Sequence, residues 1–359
     1  MHTTSSNKSK IATPFSQQLL AWYFKHARTM PWRIPPEDHH QGVRGDPYYV
    51  WLSEVMLQQT QVATVRDYFL KFVEKWPSIE ALAAADIEDV LKAWAGLGYY
   101  SRARNLKKCA DEVVLNHGGK FPYKPEQLKK LPGIGDYTAS AIASIAFDEP
   151  VAVVDGNIER VITRHYEIST PLPAAKPEIQ KRVSEVLDAD KPGEFAQAMM
   201  DLGATICTPK RPVCGLCPIN QDCAAFSSGD QELFPVKRPK PEKPTRKGAA
   251  FVICDATDNV FLEKRGEKGL LAGMSQVPTS NWTARHNGAT GEAAFPFSAE
   301  WQMSGIARHT FTHFHLELEV WKTKFANEPP INGWWCKSES LNGEALPTLM
   351  KKVLAKAGF

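Results

Sequence analysis

From Tyr48 the apolar positions fall at 51/52, 55/56, 62, 65, 69 and 72/73, with Gln59 the one polar break, and the run stops at Trp76-Pro77. This is the helical period, and it predicts a single helix over 48–76. The same pattern predicts further helices at about 78–84, 86–95, 101–117, 125–130, 136–147, 157–166, 176–189 and 193–205. Sustained two-residue alternation is missing before residue 225, so the first 226 residues read as all-α. After residue 248 the pattern changes. Segments 249–254 and 260–264 read as strands about the turn-rich 255–259. Residues 310–320 alternate like an edge strand, with Phe311, His313, His315, Glu317 and Glu319 on one side and Thr312, Phe314, Leu316, Leu318 and Val320 on the other. The second part reads as a smaller α+β domain.

Composition supports two cores. The chain has 359 residues, 43% of them hydrophobic, with 10 Trp, 9 Tyr and 17 Phe, which excludes wholesale disorder. The net charge of +3 is unevenly spread: residues 1–226 and 248–359 are each balanced, and the excess lies in 227–247. There Lys237, Arg238, Lys240, Lys243, Arg246 and Lys247 alternate with prolines 239, 241 and 244, the composition of a linker and hinge. The organisation expected is therefore 1–226 helical, 227–247 linker and 248–359 α+β. The longest uncharged apolar stretch, 137–147, is short of the ~18–20 residues that cross a bilayer. The polar N-terminus has no signal-peptide core. A soluble, cytoplasmic protein without a membrane partner is expected.

Seven cysteines in such a chain argue against a disulfide framework. Four of them, Cys207, Cys214, Cys217 and Cys223, are spaced C-x6-C-x2-C-x5-C in a loop punctuated by Pro209, Pro212, Gly215 and Pro218. Four thiolates brought around one centre suit a 4Fe-4S cluster, or a zinc ion, although zinc sites usually carry two short Cys-Cys knuckles and only 214/217 has that form. Cys109, Cys254 and Cys336 are isolated and read as small buried hydrophobes.

Helices at 125–130 and 136–147 are joined by Leu131-Pro132-Gly133-Ile134-Gly135. Two glycines allow a sharp turn and expose amides where a helix begins, which suits a phosphate, though such a turn is equally common as a purely structural feature. Asp155 lies between the apolar 151–154 and Gly156-Asn157, where a carboxylate caps a helix and is held ionised by amides and dipole. Glu54, in Ser53-Glu54-Val55-Met56-Leu57-Gln58-Gln59-Thr60, has apolar neighbours that would desolvate it and favour its protonated form. Capping aspartates and solvated glutamates are common. Meeting in one pocket, however, the two would divide as acid and ionised partner, as in glycoside hydrolysis.

These segments, with Gly96-Leu97-Gly98-Tyr99-Tyr100-Ser101-Arg102 and the four-cysteine loop, resemble the MutY family of adenine DNA glycosylases within the endonuclease III, or helix-hairpin-helix, superfamily. The similarity runs over about residues 15–226 and continues more weakly to the C-terminus. It implies an all-α helix-hairpin-helix glycosylase domain (hairpin about 125–147, iron-sulfur loop 207–223) with one 4Fe-4S cluster on the four cysteines, structural or redox-sensing rather than catalytic. A Nudix-like domain would follow. The implied activity is monofunctional: hydrolytic excision of adenine mispaired with 8-oxoguanine or guanine in double-stranded DNA, by a monomer at the nucleoid of a bacterial-type cytoplasm. Glu54 would protonate the flipped adenine and Asp155 would stabilise the sugar cation, with Tyr137 and Asn157 in support. Gln59, Tyr99 and Tyr100 would enter or flank the base stack. Gly133, Gly135, Lys210 and Arg211 would meet phosphates.

Endonuclease III carries a nucleophilic lysine where this chain has Tyr137, so a lyase built on that position is not expected. The rivals are a bifunctional glycosylase/lyase and a non-catalytic iron-sulfur protein that scans DNA. In the C-terminal part, Phe311-Thr312-His313 matches the family's Phe-Ser-His loop that inspects 8-oxoguanine. Thr312 keeps the hydroxyl and adds a methyl group. Residues 288–301 offer only Glu292 and Glu300, too few for a Nudix metal box, so recognition rather than hydrolysis is implied. His309, His313 and His315 are read as solvated rather than metal-bound.

Overall fold

The computed structural model describes residues 14–239, 242–266, 268–325 and 328–359. Lys240 of the basic segment and the polar residues 1–13 lie outside them. Two compact units divide the chain, each made of two stretches: residues up to Ala84 with Lys108–Pro239, and Ala85–Lys107 with the residues after Pro239.

In chain order the helices are α1 (Pro14–His26), α2 (Pro36–His40), α3 (Pro47–Leu57), α4 (Val62–Lys75), α5 (Ile79–Ala83), α6 (Ile87–Trp94), α7 (Ser101–His117), α8 (Pro125–Leu128), α9 (Asp136–Phe147), α10 (Gly156–His165), α11 (Lys176–Val186), α12 (Pro192–Thr205), α13 (Ala224–Ser228) and α14 (Thr348–Lys356). Side-chain caps start several of them. Asp46 accepts from the Tyr48 amide at 2.8 Å, Asp86 from Glu88 at 2.8 Å and Asp155 from Ile158 at 2.7 Å. Proline stands in the first turn of α3, α8, α11 and α12, where its missing N–H is harmless.

The helix expected over 48–76 is two. α3 ends at Leu57 and α4 begins at Val62, with Gln59 left-handed at φ +60° between them. Residues 58–61 amount to about one turn, so the apolar positions stay in phase across the break and periodicity alone does not show it. The signal was the polar run Gln58-Gln59-Thr60-Gln61 itself. The periodic reading began at Tyr48 and named neither α1 nor α2.

The first unit's core joins α1, α10, α11 and α12 through Leu19, Ile158, Ile162, Ile179, Phe195, Met199 and Leu202. α12 approaches its neighbours closely at two glycines. A Cβ on Gly193 would stand 2.6 Å from the Ser144 carbonyl on α9, and one on Gly203 would stand 2.6 Å from Asn157 Cβ on α10.

The second unit is built on a mixed sheet of β1 (Thr245–Cys254), β2 (Val260–Lys264), β3 (Ser275–Gln276), β4 (Gln302–Thr310), β5 (His315–Lys324) and β6 (Trp334–Cys336). The order is β3-β2-β1-β5-β4, with β6 also paired to β2. β1 and β5 run parallel from Thr245↔His315 to Cys254↔Lys324. Val252, Leu262, Leu316, Leu318 and Val320 bury one face with Leu349, Met350 and Val353 of α14.

Residues 310–320 are therefore not one edge strand. Thr310 ends β4, 311–314 form the turn, and β5 lies inside the sheet; the alternation holds from Phe314 onward. A short 3-10 turn, Glu292–Ala294, is the helical element of the described region 288–301.

The segment read as a linker is largely attached. The Leu172 amide donates to the Val236 carbonyl at 2.9 Å, and Leu172 bridges Lys237. Lys243 Nζ donates to the Phe311 carbonyl at 3.1 Å, the His315 amide donates to the Pro244 carbonyl at 2.9 Å, and β1 takes in 245–247.

Gly203→Ala is expected to destabilise the protein by about 1–3 kcal/mol, because the new methyl meets a Cβ and backbone on α10 rather than a flexible tip. A melting curve of the holoprotein checks this. An unchanged midpoint would show that the helices separate freely there.

Candidate active site

Glu54 sits on α3, a helix buried on nearly every side by Tyr48, Val50, Trp51, Leu52, Val55 and Met56. Its carboxyl is 6% exposed and opens on a cavity of about 510 Å³ whose lining includes Tyr137, Asp155, Asn157, Arg33 and Gln59. Burial pushes the Glu54 carboxyl up to about 7; the nearby Asp155 adds to the rise, and the Tyr137 hydrogen bond and the Arg33 charge oppose it. The Tyr137 hydroxyl donates to Glu54 Oε2 at 2.6 Å. Tyr137 itself is shifted well above the ordinary phenol range, first by burial and then by the neighbouring carboxylates, so it stays a donor.

Asp155 caps α10. Its Oδ1 accepts from the Ile158 amide at 2.7 Å and its Oδ2 from Asn157 Nδ2 at 2.8 Å. These bonds favour the ionised form, as does Arg160, whose guanidinium donates to Asn157 Oδ1 at 2.9 Å. Burial nevertheless outweighs them and moves the Asp155 carboxyl above its ordinary value, which corrects the expectation that the cap alone holds it low. The two carboxyls differ in what reaches them: Asp155 has an amide and a side-chain amide, Glu54 a single phenol.

Behind Glu54, Arg33 NH1 donates to both oxygens of Asp201 at 2.9 and 2.8 Å, and Arg28 Nε donates to Asp201 Oδ1 at 2.6 Å. Asp201 is wholly buried on α12. Gln58 Nε2 donates to Thr138 Oγ1 at 3.1 Å, tying the α3–α4 break to α9.

The four clustered cysteines line one hollow with Val161, Arg164, His165 and Ile219. Burial raises all of Cys214, Cys217 and Cys223, Cys217 to about 12, so the thiolates need a cationic centre to ionise. Four thiols lining one hollow are the ligand set of an iron-sulfur cube. Cys109, Cys254 and Cys336 are buried and free, as their isolation suggested.

Residues 52–188 match the family of HhH-GPD superfamily base excision DNA repair proteins, residues 207–223 the iron-sulfur binding domain of endonuclease III, and residues 249–356 the NUDIX domain. Human adenine DNA glycosylase is 34% identical over 95% of this chain and 73% of its own length. The chain belongs to the adenine DNA glycosylase family. The glycosylase of Buchnera aphidicola subsp. Schizaphis graminum is 31% identical over 95% of this chain and 97% of its own. Among solved structures, a thermostable thymine-DNA glycosylase shares the fold at a TM-score of 0.52, with 27% identity over 60% of this chain and 95% of that one. The protein is thus a DNA glycosylase of base excision repair with a 4Fe-4S loop and a NUDIX domain.

Elsewhere in this adenine DNA glycosylase, Gly133 turns the hairpin at φ +77°, and Gly135 starts α9 in extended backbone with no side-chain cap. The Ile134 amide donates to the Leu131 carbonyl at 3.2 Å, so it is not among the amides open to an anion. Lys210 and Arg211 are exposed in the cysteine loop. Gln59, Tyr99 and Arg211 share an unusual property: all three are non-glycine residues in the left-handed region, at φ +60°, +49° and +49°. Backbone of this kind is held by its surroundings and concentrates at functional sites.

Tyr99 is half exposed, and its hydroxyl lies 3.1 Å from Thr312 Oγ1. Tyr100, by contrast, is 4% exposed and its hydroxyl accepts from the Gly96 amide at 3.2 Å, so it shapes the loop from within instead of facing outward. Phe311 is half-buried and stacks on Phe314 at 4.7 Å, whereas Thr312 and His313 are exposed at the β4–β5 turn. His309 packs edge-on against Phe311 and His315 pairs with Thr310.

Sequence reasoning missed Arg28, Arg33 and Asp201. Their contacts span 168 and 173 residues, and no local spacing announces them.

The Tyr137 bond favours ionised Glu54, so Tyr137→Phe is expected to raise the Glu54 pKa from about 7. Base release that needs protonated Glu54 falls as pH rises through about 7, and the variant should carry that falling limb to higher pH even if its maximum rate drops. A pH–rate profile of both proteins reads this. A limb displaced to lower pH would contradict the assigned direction of the hydrogen bond.

Proposed function

We propose that this glycosylase excises adenine standing opposite 8-oxoguanine or guanine in double-stranded DNA, by hydrolysis and without strand cleavage. The observation that carries the chemistry is the buried Glu54 carboxyl, raised to about 7, in one cavity with the helix-capping carboxylate of Asp155. A flipped adenine entering the cavity receives the Glu54 proton at N7, and the C1′–N9 bond breaks with its electrons passing to the base. Positive charge develops on the sugar. Asp155 faces it, either as an ion or by bonding to C1′, and water then takes the anomeric carbon while Glu54 accepts the proton. Asn157 holds Asp155, and Arg160 holds Asn157. The products are free adenine and an abasic site.

Two features support hydrolysis over a lyase. Tyr137 commits its hydroxyl to Glu54, and Lys176, the lysine that lines the cavity, is an exposed residue paired with Glu159 at 3.4 Å. Gln59 and Tyr99, on strained backbone, are the candidates for entering the stack, where an aromatic face offsets part of the unstacking cost. Lys210, Arg211 and the capless start of α9 near Gly133 and Gly135 suit phosphate contacts. Thr312 and His313 supply polar groups that read the base opposite adenine, and the 288–301 region lacks the acidic helix that nucleotide hydrolysis needs. The cluster, when bound, pins the 207–223 loop.

The test is a single-turnover assay on duplexes with adenine opposite 8-oxoguanine, guanine or thymine, followed by alkali to reveal abasic sites. Glu54→Gln is expected to slow adenine release by about 10²–10⁴-fold, and Asp155→Asn by a similar factor. Release should favour the 8-oxoguanine and guanine duplexes, with no borohydride-trapped adduct. Equal release opposite thymine, or a trapped adduct, would overturn the reading.

A further inference from the structure

α10 has a second functional end. Asp155 caps its start, and one residue before its end, at Arg164, a guanidinium is almost wholly buried, 2% exposed, against the cysteine loop. Arg164 NH1 donates to the Thr208 carbonyl at 2.8 Å and lies 3.4 Å from Cys207 Sγ. NH2 donates to the Pro209 carbonyl at 3.1 Å and Nε to the Phe234 carbonyl at 3.2 Å. The Arg164 carbonyl in turn meets Cys223 Sγ at 3.7 Å.

These partners are carbonyls and a thiol; none is a carboxylate. A second guanidinium, Arg160, lies near enough to repel it, and donates to the Cys207 carbonyl at 2.7 Å. A buried cation with no carboxylate beside it among the described residues is costly. Four thiolates around a 2+ core carry a net charge of roughly −2, and the nearest such sulfur is the one Arg164 already points at.

We propose that Arg164 is the fixed counter-charge of the iron-sulfur cluster, a positioning residue that favours the 2+ state over its one-electron-oxidised 3+ state. The logic is Coulombic. Oxidation lowers the negative charge of the cluster and so weakens its attraction to a fixed cation a few ångströms away, in a site where water screens poorly. The guanidinium also ties the loop before Cys214, through 208 and 209, to the segment past Cys223, through Phe234, so the charge is held in place.

The experiment measures the 3+/2+ midpoint of the bound cluster in full-length holoprotein by voltammetry, with the rate of cluster loss under ferricyanide, which takes one electron to become ferrocyanide. Arg164→Gln keeps one amide donor group and removes the charge; Arg164→Lys keeps the charge and changes the donor geometry. The neutral variant is expected to oxidise more easily by at least about tenfold in equilibrium constant, ~59 mV for one electron, and to lose its cluster faster. The lysine variant should stay close to the parent. A neutral variant that takes up no cluster, beside a lysine variant that does so with the parent midpoint, has the same meaning. An unshifted Arg164→Gln overturns the proposal. So does a lysine variant that shifts as far as the glutamine one, or that also fails to hold a cluster, because geometry and not charge is then what matters.

Discussion

The burial of one carboxyl beside another organises the first unit. Glu54 is taken out of water by an apolar helix, and Asp155 is nearby in the same cavity, so the two cannot both be comfortably ionised there. The protein resolves this by giving them unequal partners. Asp155 receives an amide and a carboxamide, and Glu54 receives one phenol from a tyrosine that burial keeps protonated. The first can hold negative charge and the second tends to hold a proton, which is the division that the proposed base release requires.

Several helices are shaped around that pair. α3 presents Glu54, α9 presents Tyr137, and α10 begins at Asp155. α12 touches both α9 and α10 through Gly193 and Gly203, and carries Asp201, which fixes Arg33 and Arg28 on the cavity wall. Arg33 adds a positive charge that restrains the rise of Glu54. Because α10 also ends at the cysteine loop, the helix that Asp155 caps is the one anchored by Arg160 and Arg164 beside the cluster loop. The cluster loop is thereby joined to the Asp155 side of the cavity through one helix.

Much of this was legible in the residues. The four cysteines within 207–223, the hairpin glycines and the Asp155 cap each carry their own local signature, and the helices from 78 to 205 follow from their period to within three residues at each end. What could not be read was set by distance along the chain or by local exceptions to a period. Asp201 meets Arg33 across 168 residues. The α3–α4 break keeps the apolar phase, and the β4–β5 turn keeps the two-residue alternation, so each passed as one element. Tyr99 and Tyr100 look equivalent in sequence, yet one is half exposed on left-handed backbone and the other is buried with its hydroxyl bonded to Gly96. The basic 227–247 stretch has a linker's composition, but Phe234, Val236, Lys243 and Pro244 are bonded to folded elements.

Glu54 is poised to be an acid at physiological pH before any substrate arrives, a property set by its burial. It is tested directly by titrating that carboxyl in the DNA-free holoprotein, using carbon-13 labelled glutamate and identifying its resonance by comparison with Glu54→Gln. A midpoint near 7 is expected. A midpoint near the ordinary glutamate value of about 4.3 would contradict it, and would mean that the proton reaching adenine is held elsewhere.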